Sequence, residues 1–185
     1  MNHAIDALAD IIFNCESMYQ CFEGKSLIDL GSGPGCLSLS ACFMGVSHLT
    51  AIEIDPEAIT DFLNNIKSLD LDSSTIEIIN ADVRNAKKMF RPSSFDTAIM
   101  NPPFGTNVTN NGIDVLFLDA GIHLAKDDVI SLHKKTTRKF VLKKVEELCG
   151  KGQVTAELLF DVPKMYKKHK HESKDIYVDL IHVSL

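Results

Sequence analysis

The stretch SLIDLGSGPGCLSLSACFM, Ser26 to Met44, carries the first decision about the fold. Ser26–Leu30 is a short apolar run of strand character, and Cys36–Met44 is a run of helical character. Gly31, Gly33 and Gly35 separate them. Glycines at such a turn let the backbone bend tightly and approach a ligand, with the amides of the following helix pointing at it. A strand, a glycine-rich turn and a helix make the opening of a β-α unit.

The alternation continues outward. Ala4–Cys15 places Ile5, Leu8, Ala9 and Ile12 at helical spacing. His48–Ile54 reads as a strand, Pro56 opens a helix to about Leu69, and Ile76–Asn80 is a β-branched strand. Phe95–Met100 is a strand and Asp114–Ala125 a helix, and Val129–His133 followed by Thr136–Cys149 repeats that order. The last two runs, Val154–Asp161 and Ile176–Val183, have no helix between them. The prediction is one domain over residues 1–185 with an α/β, doubly wound, Rossmann-like fold. Its seven-stranded sheet is mostly parallel with helices on both faces, and the C-terminal strand pair is antiparallel. In such a fold the ligand lies beyond the C-terminal ends of the first strands.

Composition fits one core: 185 residues, 45% hydrophobic and 24% charged. No apolar stretch approaches the ~18–20 residues of a membrane span. The N-terminal MNHAIDALADIIF carries acids in its apolar pattern and no basic leader, so the expectation is cytoplasm or nucleus, nucleolus included. Five cysteines without a C-x-x-C pair read as reduced core thiols, and no metal is expected. A net charge of −6 argues against a protein that simply coats nucleic acid. The run KMYKKHKHESK, Lys164 to Lys174, sets five lysines and two histidines against a single glutamate. Such a patch can engage a phosphate backbone locally, and a solvated lysine-rich loop is the other reading.

The glycine turn reads G-x-G-x-G, with Asp29 two residues before it and Glu53 and Asp55 near the end of the next strand. A dinucleotide fingerprint needs G-x-G-x-x-G, and its third glycine would be Cys36. The residues alone leave a nucleotide-type ligand and a purely structural turn both open. Asp29, the glycines, Glu53 and Asp82-Val83 together resemble the cofactor set of class I S-adenosylmethionine-dependent methyltransferases. The resemblance implies S-adenosylmethionine bound by Asp29, Gly31, Ser32, Gly33, Pro34, Gly35, Cys36, Glu53, Asp82 and Val83. It puts Asp29 near the cofactor's amino group and both ribose hydroxyls on the two oxygens of Glu53. Asp82 would accept from the adenine amine, with Val83 beside it.

The strand Phe95–Met100 ends in Asn101-Pro102-Pro103-Phe104. An exocyclic amine on a base is a poor nucleophile, because its lone pair is delocalised into the ring. Two acceptors that take its hydrogens draw the nitrogen toward a tetrahedral shape. Asn101 offers a side-chain carbonyl and Pro102 a main-chain one, whose direction the prolines restrict. Phe104 can stack on a planar target for roughly 1–3 kcal/mol. The run resembles the D/N/S-P-P-Y/F/W motif of amino-methyltransferases, which act on adenine, cytosine or glutamine amides. That assigns Asn101, Pro102, Pro103 and Phe104 as the catalytic set.

The chain leaves no room for the target-recognition domain of DNA adenine methyltransferases or the helical domain of release-factor glutamine methyltransferases. FDTAIMNPPFGT, SLHK (Ser131–Lys134), DVP (Asp161–Pro163) and VDLI (Val178–Ile181) resemble the eukaryotic small-subunit rRNA adenine-N6 methyltransferases of the methyltransferase-like group, from Ala4 to Leu185. That resemblance implies one adenosine of small-subunit ribosomal RNA as target and a small zinc-ribbon activator protein as partner in a heterodimer. It also implies an N-terminal extension that closes over the site, and the chain begins inside the helix that follows it. The apolar run Ile76–Ile79 is the expected sheet edge and the place where the activator docks. Lys134, Tyr166, Lys167, Lys168 and Lys170 are the expected RNA-binding residues, with Lys135, Arg138 and Lys139 in a second basic group. The target base must leave its stack to reach Phe104. Protein glutamine methylation and a catalytically silent RNA- or partner-binding module are the alternatives.

Overall fold

Side chains alternate along β1 (Ser26–Leu30), burying Leu27 on one face of a sheet and Ile28 on the other. A strand buried on both faces belongs to the middle of a layered α/β fold. The computed structural model describes residues 3–103, 112–149, 151–162 and 174–185. Before β1 comes α1 (His3–Tyr19), and after it α2 (Cys36–Phe43), β2 (His48–Glu53), α3 (Pro56–Ser68) and β3 (Ile76–Asn80). The second half runs α4 (Ala86–Met89), β4 (Phe95–Met100), α5 (Ile113–Leu124), β5 (Ala125–Lys134), α6 (Arg138–Leu148), β6 (Gly152–Val162) and β7 (Lys174–Ser184).

The strands form a 7-stranded sheet in the order β3-β2-β1-β4-β5-β7-β6. β1 to β5 are parallel, and β7 joins β5 antiparallel with β6 beyond it. The expected fold is therefore the observed one. Leu8, Ile11 and Ile12 of α1, Leu37 of α2 and Phe62 and Ile66 of α3 pack on one sheet face. Ala86 of α4, Phe117, Leu118 and Leu124 of α5 and Val141 and Val145 of α6 pack on the other. Cys15 and Cys21 are buried free thiols in the first layer, and burial pushes both pKa values up. Among the described residues no helix is long and apolar enough to cross a membrane.

Element ends differ from the periodicity reading where polar contacts hold them. β5 begins at Ala125 rather than Val129, through the polar run Lys126-Asp127-Asp128. Lys25 Nζ lies 2.9 Å from Asp127, and His182 Nε2 lies 2.7 Å from Asp128, so partners distant in sequence carry that strand start. The short α4 carries too few apolar residues for a helical period to register. α3 starts as read, with Pro56 in its first turn and Asp55 capping the Glu57 amide at 2.9 Å.

Candidate active site

The sheet order brings β4 beside β1, so the turn after β1 and the corner after β4 open on the same edge. Gly31 and Gly35 adopt φ of +74° and +89°. A Cβ on Gly31 would stand 2.7 Å from the Phe117 ring, and one on Gly35 would stand 2.4 Å from the Phe62 ring. Both positions thus need glycine twice over, for dihedral and for space. Gly31 and Ser32 donate their amides to Ile52 O at 2.9 and 3.1 Å, which fixes the turn against the end of β2.

Asp29 lies beneath the turn, fully buried. Ser38 Oγ of α2 donates to its Oδ2 at 2.6 Å, while Oδ1 has no hydrogen-bond partner among the described residues. Burial pushes the Asp29 carboxyl up to about 7; the Ser38 bond opposes this and the nearby Glu53 charge adds to it. The hydroxyl of Ser32 is likewise buried without a partner among the described residues. These orphaned oxygens suit a ligand that brings hydrogen-bond donors and positive charge, and the amino group of S-adenosylmethionine does both.

Glu53 is held by main-chain amides: Oε1 accepts from Ile54 and Asp55 at 2.8 and 2.9 Å, and Oε2 accepts from Gly33 at 2.8 Å. A carboxylate has about four acceptor positions, so one remains, on Oε2. A single ribose hydroxyl fits that position, and a second has to replace one of the amide bonds. Asp82 departs further from its expected surroundings. Its Oδ1 caps the Arg84 amide at 2.9 Å and its Oδ2 takes the Arg84 guanidinium, with Nε at 2.8 Å. The guanidinium holds the Asp82 carboxyl below the usual carboxylate range.

Glu53, Asp82, Val83, Gly31, Asn101 and Pro103 line one cavity of about 430 Å³, in the size range of small-molecule sites. Ile54, Arg84, Ile113 and Phe117 line it too and were not read from the sequence. Ile54 is 59% exposed, an apolar side chain left out of the core just after the acid of β2. That solvent-facing isoleucine is a local signal; Phe117 reaches the turn only through the packing of α5. Asp29, Ser32, Gly33, Pro34, Gly35, Cys36 and Pro102 do not line the cavity. Asn101 is half-buried, Pro102 buried and Pro103 exposed, and among the described residues no hydrogen bond holds the Asn101 amide. Phe104 lies outside the described residues.

The expected RNA contacts are met unevenly. Lys134 is half-buried at the end of β5, opposite Val178 of β7. Tyr166, Lys167, Lys168 and Lys170 lie outside the described residues. In the second basic group Lys135 is paired with Glu157 at 2.7 Å, and Arg138 with Glu157 at 2.8 Å and with buried Asp179. Those charges serve the β5-β7-β6 side of the sheet first.

Comparison with known proteins identifies a family. The family model described as Conserved hypothetical protein 95 matches residues 4–157. The rRNA N(6)-adenosine-methyltransferase Mettl5 of Drosophila melanogaster is 39% identical over 164 residues, 89% of this chain and 76% of that protein. The chain belongs to the rRNA N6-adenosine-methyltransferase family. The family's Danio rerio member is 37% identical over 171 residues, 92% of this chain and 81% of its own length. Among solved structures, PH1948 from Pyrococcus horikoshii superposes with a TM-score of 0.75 at 27% identity, over 96% of this chain and 81% of that one. The magnesium protoporphyrin IX methyltransferase of Synechocystis, TM-score 0.67 at 12% identity over 97% and 77% of the two chains, shares the fold alone. As a family member the chain is an S-adenosylmethionine-dependent methyltransferase, with the resemblance read from its motifs and the family found by comparison in agreement.

Proposed function

We propose that this chain methylates N6 of one adenosine in small-subunit ribosomal RNA, with a small zinc-ribbon activator protein bound at β3. The observation that carries the reading is the shared cavity: Glu53, Asp82 and Val83 meet Asn101 and Pro103 in one space. A ligand-holding set and an amine-holding set thus face the same volume. S-adenosylmethionine, when bound, supplies a methyl group on a positively charged sulfur. Asn101 accepts one hydrogen of the adenine amine through its carbonyl and the Pro102 carbonyl accepts the other, which localises the nitrogen lone pair. The same fixed dipoles stabilise the positive charge that develops on nitrogen. Phe104 stacks on the flipped base and holds it in line for transfer.

The partner reading draws on the sheet edge. β3 is an end strand, and beside it lies a groove of about 540 Å³ whose lining includes Ile59, Leu63, Ile66, Leu71, Ile76 and Ile78. An edge unpaired among the described residues, with an apolar groove beside it, offers a strand-adding partner both main-chain hydrogen bonds and side-chain burial. The RNA reading draws on the lysine-rich run Lys164–Lys174 and on Lys134, and its substrate sets the site of action to the cytoplasm or nucleolus.

Asn101→Ala removes one acceptor from the amine and none from the cofactor. The expected result is a loss of rRNA methylation of about 10²–10³-fold in kcat, with S-adenosylmethionine affinity unchanged by calorimetry. Methylation at the normal rate would refute the mechanism. Nucleoside analysis of ribosomal RNA from cells with and without the gene tests the substrate. Methyl transfer to a release factor, with none to rRNA, would replace it by protein glutamine.

A further inference from the structure

Ser131, His133 and Asp114 form a cluster that neither the cofactor set nor the NPPF set uses. β4 and β5 run parallel with Met100 opposite Ser131, so His133, on the same strand, stands level with the beginning of the proline corner. Ser131 and His133 alternate with Leu132, which packs in the opposite layer, and so share the sheet face on which α5 lies. Ser131 is 0% and His133 1% exposed. Ser131 Oγ lies 2.7 Å from His133 Nε2. His133 Nδ1 is buried, has no hydrogen-bond partner among the described residues, and lies 3.8 Å from Asp114 Oδ2. Asp114 belongs to the first turn of α5, next to Ile113 in the wall of the cavity.

The order Ser-His-Asp is that of a hydrolase triad, but a serine with no exposed surface has no substrate to attack. The cluster suits holding rather than reacting. When Ser131 donates its hydroxyl hydrogen to Nε2, the neutral ring carries its own proton on Nδ1. That nitrogen lies 3.8 Å from the Asp114 carboxylate, an electrostatic contact longer than a hydrogen bond. The imidazole in turn holds the Asp114 carboxyl below the usual carboxylate range, against the opposite effect of burial.

We propose that His133 is a positioning residue for methyl transfer, tying the first turn of α5 to the end of β5 and so fixing the Ile113–Phe117 wall that shares the cavity with Asn101 and Pro103. It touches neither cofactor nor base and acts through α5. The inference rests on the methyltransferase reading above for its kinetic consequence, while its structural content stands apart from any activity.

Nitrogen-detected NMR of the full chain reads the structural content directly. The expected spectrum has a proton on His133 Nδ1 and none on Nε2, and Asp114→Ala shifts that resonance. A proton on Nε2, or a resonance indifferent to Asp114→Ala, would overturn the proposal. Kinetics supply the second arm. His133→Ala and Asp114→Ala are each expected to lower kcat about tenfold, with KM and S-adenosylmethionine affinity changed less than about threefold. The double variant should be no worse than either single one, and His133→Asn, which restores a donor toward Asp114, should recover most of kcat. Unchanged kcat, multiplicative losses or no recovery in His133→Asn would refute it. Asp114 is partly exposed, so its variant carries the test where His133→Ala does not fold. A wild-type chain inert toward RNA would sink the proposed function and leave the NMR arm to judge His133.

Discussion

Asp29 couples stability to pH, and on the proposed cofactor reading it couples ligand binding to both. Burial raises its carboxyl from 3.8 to about 7 in the folded chain. Between those values the native state binds a proton that the unfolded state releases, so stability falls as pH rises. The contribution of protonated Asp29 is complete below 3.8 and is lost as pH passes about 7. A cationic ligand wants the opposite form. S-adenosylmethionine affinity is therefore expected to rise with pH up to about 7, by at most about tenfold per unit, while the melting temperature of the free chain falls. Asp29→Asn should weaken binding and flatten both profiles, as followed by calorimetry and thermal melts from about pH 5 to 8. A wild-type binding profile without slope would deny Asp29 contact with the cation. Its motif position was legible from D-x-G-x-G, but its orphaned Oδ1 was not, because solvent exclusion around it comes from the packed fold.

At the scale of elements, β3 and α3 make the edge at which we propose that the activator docks. Leu63 of α3 is 47% exposed and lines the groove next to Ile76 and Ile78. Leu63→Glu sets a charge where an apolar partner surface would close, yet it lies outside the buried core. Co-purification of the activator is expected to fail and rRNA methylation to fall with it, while stability changes by about 0.5 kcal/mol or less. Retained co-purification would move the interface elsewhere. Most elements could be read from periodicity alone, since i, i+3, i+4 and i, i+2 patterns are local properties. The early start of β5 could not, because Asp127 and Asp128 are tolerated there through Lys25 and His182.

Over the whole molecule, the proposed function asks an acidic chain of net charge −6 to find a polyanion. Lys135 and Arg138 are already paired within the fold, and the proposed phosphate contact draws on the run Lys164–Lys174 together with Lys134. Replacing Lys167, Lys168 and Lys170 together by alanine should weaken RNA binding at low salt. It should also reduce the slope of log affinity against log salt by about 2, at ~0.7 per phosphate contact on a single strand. An unchanged slope would assign the contact to other residues. S-adenosylmethionine affinity should be unaffected, since none of the three lysines belongs to the cofactor set.

By itself the sequence determined the β-α alternation, the glycine turn, the acids after β2 and β3 and the proline corner after β4. Each is written in consecutive or periodically spaced residues, so local chain physics specifies it. The tertiary structure decided which of these meet. Placing β4 beside β1 and β5 beside β4 brings Asn101 to Glu53, Phe117 under Gly31 and Asp114 to His133. It also brought the Gly33 amide, from the turn after β1, to Glu53 at the end of β2. Such contacts depend on strand order and on side chains excluded from water together, and neither is a property of any one stretch of chain.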